Sequence, residues 1–135
     1  MVGIIVGPRY YEIGSGSFLH SFFSTVCIRL EEGKWGTRFP TLMNGLYEGQ
    51  LENSDVLEAK KELQIVRDEL SDFPPNNVVW DRDDLNARPP WGNNISKDIT
   101  DLSNYFVTSD GKDLITVMLR AFADAESSGE NIMIG

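Results

Sequence analysis

The chain has 135 residues, 41% of them apolar, with 21 acidic against 12 basic side chains and a formal net charge of −9. That length fits one domain, spanning residues 1–135, that buries about two-thirds of its unfolded surface without a metal or disulfide staple. The charge argues against nucleic acid as a direct partner, since both are polyanions, and suits a basic protein, although it also serves solubility.

Val2–Val6 and Tyr10–Ile13 read as two strands joined by a turn at Gly7-Pro8. Gly14-Ser15-Gly16-Ser17 then opens a helix whose Leu19, Phe22, Phe23, Val26 and Leu30 fall on one stripe, with Gly33 suited to a C-terminal cap. A short helix is expected near Pro40–Tyr47. The clearest element is the next helix, near Asp55–Asp72. There Val56, Ala59, Leu63, Val66, Leu70 and Phe73 alternate steps of three and four, and Asp55 with Glu58 makes a capping-box pattern. Pro74-Pro75 stops it.

Val78–Trp80 has the look of a short strand, and Tyr105–Thr108 of another. Between them the polar stretch Asp81–Asp101 is longer than a connection requires. Ser109-Asp110-Gly111 is expected to begin the last helix, whose Leu114, Val117, Met118, Ala121, Phe122 and Ala125 form a wide apolar face. Asn131–Ile134 reads as a terminal strand. The sum is an α+β fold: a small sheet with strands from both chain ends, covered by three to four helices.

Chemistry is thinly supported. Cys27, the one cysteine, lies in an apolar stretch and forms no internal disulfide; with no leader-like or membrane-length apolar run, the reading is cytoplasmic. His20, the one histidine, precedes Cys27 on the same helix. A Cys–His nucleophile pair needs an orienting third group and an oxyanion hole, and neither shows in the sequence. Zinc lacks nitrogen and sulfur ligands. Calcium fails on spacing: a loop beginning at Asp81 puts Asn86 at its sixth position and Gly92 at its twelfth, where Gly and Glu belong. Gly14-Ser15-Gly16 follows a strand and precedes a helix, but Leu19 stands where a dinucleotide fingerprint has its third glycine. Acidic residues are plentiful, and abundance is no evidence for a catalytic carboxylate pair. The expectation is no enzyme, no metal and no cofactor.

Surfaces remain. In the Asp81–Asp101 loop, Asp81, Asp83, Asp84, Asp98 and Asp101 surround Arg88 and Trp91, an aromatic anchor rimmed by charge. The alternative is that Trp91 folds back and pins its own loop. A rival face is the helix carrying Glu58, Glu62 and Glu69 off its apolar stripe, against the alternative of a merely solvated face.

Four stretches, read in order, carry a resemblance: SFLHSFFST at Ser17–Thr25, WGTRFPTLM at Trp35–Met43, Val79–Asp81 running on to Pro89–Gly92, and NYFVTSDG at Asn104–Gly111. In these the chain resembles the bacterial immunity proteins of polymorphic toxin systems, specifically the family numbered seventy. The resemblance implies a protein that binds and blocks a cognate toxin domain, with no activity or cofactor of its own, and it supplies no catalytic residues. Charge adds that the toxin is basic, as nucleases commonly are. A small enzyme using His20 or a carboxylate pair, and a subunit of a larger complex, are the competing classes.

Overall fold

A computed structural model describes residues 1–135. β1 (Val2–Val6) and β2 (Arg9–Gly14) form the expected hairpin, with Val6 opposite Arg9 across a two-residue turn. Gly7 takes φ 57 there, the left-handed backbone that a two-residue hairpin turn needs at its first central position. β3 (Gln50–Leu51) and β4 (Ile132–Ile134) complete an antiparallel sheet of order β2-β1-β4-β3. Strands from both chain ends thus lie side by side. β3, only two residues long, has no signature in the sequence.

Three long helices follow the apolar periodicity. α1 (Gly16–Leu30) starts at Ser15, whose side chain accepts from the Phe18 N–H, and buries Leu19, Phe22, Phe23, Val26 and Leu30. α2 (Val56–Leu70) buries Val56, Ala59, Leu63, Val66 and Leu70, while Phe73, expected on the same stripe, lies past its end and is half-buried. α3 (Leu114–Ser128) does the same with Leu114, Val117, Met118, Ala121, Phe122 and Ala125, and ends on Gly129 at φ 76. α2 packs on α3 and α1, and α3 lies against β1, so the helices share one core with the sheet. No helix is long and apolar enough to cross a membrane.

The expected short helix forms as a single π-helical stretch, Thr41–Leu46, closed by the Tyr47 N–H on the Leu42 carbonyl. Four local expectations are corrected. Asp55 does not cap α2: its backbone is already helical, at the end of a 3-10 turn over Asn53–Asp55, and its carboxylate makes no cap bond. The anchoring falls to Asn53, whose amide donates to the carbonyls of Ala125 and Glu130. Val78–Trp80 joins no sheet, because side chains of α1 satisfy its backbone instead. Tyr105–Thr108 is no full strand and Ser109-Asp110-Gly111 starts no helix: these residues fold into one tight turn, with a lone bridge between Val107 and Asp113. α3 begins after it, capped by Asp113, which accepts from the Thr116 N–H.

Candidate protein-binding surface

The stretch 79–107 is held by polar groups on a helix otherwise packed with apolar ones. Ser21, Ser24 and Thr25 are fully buried on α1. Thr25 Oγ1 accepts from the Val79 N–H at 3.0 Å and donates to its carbonyl at 3.1 Å, while Ser21 Oγ donates to the same carbonyl at 2.8 Å. Ser24 Oγ accepts from the Arg82 N–H. Three hydroxyls thus replace a neighbouring strand, since each buried backbone group must be paired. At the far end the Leu102 N–H bonds the Phe73 carbonyl, tying the loop to the end of α2.

At the entry to the loop, His20 lies between Tyr47 and Asp81. Its Nδ1 is 2.6 Å from the Tyr47 hydroxyl and its Nε2 is 3.3 Å from Asp81 Oδ1. A proton on Nε2 satisfies all three groups, with the imidazole donating to Asp81 and accepting from Tyr47. The Asp83 N–H and then His20 hold the Asp81 carboxyl below its usual range. Burial pushes the Tyr47 hydroxyl up, against the pull of Arg82. Arg82 itself lies over the Trp35 ring, 4.8 Å from its centroid.

The Cys–His pair weighed from the sequence does not form. Cys27 is buried, and desolvation raises its thiol, which disfavours the reactive thiolate. Both ring nitrogens of His20 are engaged elsewhere, by Tyr47 and Asp81. His20, Asp81 and Asp83 do bring three potential metal-ligand atoms within 4.8 Å of one another. Any cation there would have to displace the His20–Asp81 contact and sit beside the Arg82 guanidinium, whose Nε is 3.9 Å from Asp83.

The predicted loop residues divide into two sets. Asp83, Asp84, Arg88 and Asp98 are exposed. Asp84 caps its own turn through the Asn86 N–H, and Leu85 beside it is 60% exposed. Asp81 and Asp101 are occupied internally. Burial would raise the Asp101 carboxyl, but bonds from Ser103, Thr100 and the Asn104 backbone outweigh it and hold the group low. Trp91 is not a projecting anchor: it is half-buried, meets Trp80 edge-on at 5.4 Å, and donates its indole N–H to the Tyr105 hydroxyl at 2.8 Å. The loop is therefore an ordered acidic surface pinned from within.

The rival face is broken up. Glu58 is exposed, but Glu62 is buried, accepting from the N–H groups of Thr41 and Leu42 at the start of the π-helical stretch. Helical periodicity placed Glu62 off the stripe because it sees one packed side, whereas α2 is also flanked by that stretch. Glu69 is paired through both oxygens with Arg38 at 2.6 Å, which holds its carboxyl low. Sequence reasoning missed Tyr47, Trp35 and Leu85. Trp35 meets Arg82 and Tyr47 meets His20 from distant points in the chain, and an exposed Leu85 has no periodic signal.

A family model described as Immunity protein 70 matches residues 4–134. No curated protein and no solved structure matches the chain.

Proposed function

Because the chain belongs to the Immunity protein 70 family, whose model spans nearly its whole length, we propose that it neutralises a cognate bacterial toxin domain by binding it directly in the cytoplasm. Family membership carries this reading and implies a protein partner rather than a substrate. The net charge of −9 supports a basic partner, of the nuclease type, with neither nucleic acid nor membrane as the target. The surface proposed to meet it is the Asp81–Asp101 loop, whose tip exposes Asp83, Asp84 and Leu85. Exposed carboxylates at a tip act over distance and speed encounter with a positive surface.

The test is co-expression with the toxin domain encoded beside it, a growth assay, a pull-down, and association kinetics at two salt concentrations. Replacing Asp83 and Asp84 together by Lys is expected to lower the on-rate by roughly tenfold and to flatten its salt dependence. Charge reversal at Glu58 is the control on α2. A parent-like on-rate for the loop variant, with a slowed one for Glu58→Lys, would move the interface to α2.

A catalytic mode of protection is tested separately. His20→Gln and Cys27→Ser, once shown to be folded, are expected to protect cells as the parent does, since neither group is arranged for attack or proton transfer to a bound partner. A folded His20→Gln protein that still binds the toxin but no longer protects would sink the non-catalytic reading.

A further inference from the structure

Two clefts lie on either side of a ridge made by Ile95 and Tyr105, which line both. The larger, about 630 Å³, has rigid walls at Pro74, Pro75 and Pro89. The smaller, about 280 Å³, is mostly apolar, walled by Phe18, Trp91, Ile99 and the exposed Val107. Adjoining at Ile95 and Tyr105, the clefts make one grooved face. Trp91, folded back by its bond to Tyr105, is a wall of that groove.

Two polar groups of the groove are used within the protein: the Tyr105 hydroxyl accepts from Trp91 and Ser96 Oγ from the Asp98 N–H. Arg88 is the only charged residue lining either cleft. Its guanidinium makes no ion pair, although its own loop holds five aspartates and six of the protein's Lys and Arg residues pair with Asp or Glu. The side-chain amides of Asn76 and Asn93, on the same wall, likewise take no partner within the protein. An amide offers both a donor and an acceptor, which matches the alternating groups of an extended main chain. A guanidinium matches a carboxylate, and a small apolar recess matches one aliphatic or aromatic side chain.

We propose that this groove seats an extended segment of the toxin, with an apolar side chain in the Trp91–Val107 recess and a carboxylate of the same segment on Arg88. This rests on the toxin-binding reading above and deepens it: the loop tip governs encounter, and the groove governs residence. The rigid proline walls lower the ordering cost of binding, since the receiving surface is already formed.

The experiment measures binding of the catalytically inactivated toxin domain encoded beside the gene to Arg88→Glu, Arg88→Lys, Val107→Lys and Asn93→Trp proteins, with thermal melting of each. All three positions are exposed, so melting is expected to stay as in the parent. Arg88→Glu, Val107→Lys and Asn93→Trp are each expected to weaken the complex at least tenfold, through faster dissociation, while Arg88→Lys keeps most of the affinity. Asp83→Lys with Asp84→Lys is expected to change association instead. If the parent binds and the three disruptive variants bind equally well, the groove is the wrong seat while the toxin-binding reading stands. If the parent does not bind that domain, both fall together.

Discussion

Replacing Glu31 by Ala is expected to destabilise the protein by about 3–5 kcal/mol, measured as the urea-unfolding free energy. Glu31 is 2% exposed, and its carboxylate accepts from three backbone N–H groups: Gly36 through Oε1, Arg38 and Phe39 through Oε2, at 3.0–3.1 Å. These donors belong to the irregular turn that leaves α1 for the π-helical stretch. No helix or strand offers them an alternative acceptor, so the truncated side chain leaves them short of partners, at about 1–3 kcal/mol for each donor that water does not reach. Glu31→Gln keeps one carbonyl oxygen and is expected to recover part of the loss. A Glu31→Ala protein within about 0.5 kcal/mol of the parent would behave like a surface substitution and show that the turn needs no such cradle.

Leu63→Ala is expected to cost about 2–5 kcal/mol by the same measurement, because the transfer free energy of the lost carbons adds to that of the cavity left behind. Leu63 is fully buried in the middle of α2, the helix that packs on both α1 and α3. Nearby core groups sit on separate elements, so the void cannot close by one side chain swinging in. An unchanged unfolding midpoint would mean the α2 stripe is not the keel of the core.

The parts of the fold legible in the sequence are those encoded by period. α2 and α3 bury their stripes, and the hairpin closes at Gly7-Pro8, because alternation and turn chemistry are local rules. The parts not legible depend on partners far along the chain. Val79 was read as a strand residue; its backbone bonds go to Ser21 and Thr25, more than fifty positions earlier. The capping box at Asp55 is idle because Asp55 is already in helical backbone, within the 3-10 turn Asn53–Asp55, where Asn53 ties the turn to Ala125 and Glu130. In the candidate site the loop's charge was legible and its architecture was not. Trp91 could be named as the central aromatic, yet its direction depends on Tyr105 and Trp80. The inward turn of Trp91, the second of the two readings the sequence allowed, creates the recess beside Val107.

The sheet order also bears on how the chain is made. β4 lies between β1 and β3, and it pairs Ile134 with Ile4, so residues 7–131 separate two adjacent strands. On the ribosome, the β1–β2 hairpin emerges well before β4, with one edge of β1 still open. That edge stays without its native neighbour until residues 132–134 have been synthesised and released. An open edge is a template for pairing with other chains, and contacts this distant form late. The hairpin is therefore exposed to misassembly for as long as residues 15–131 take to be made, and its rescue comes with β4.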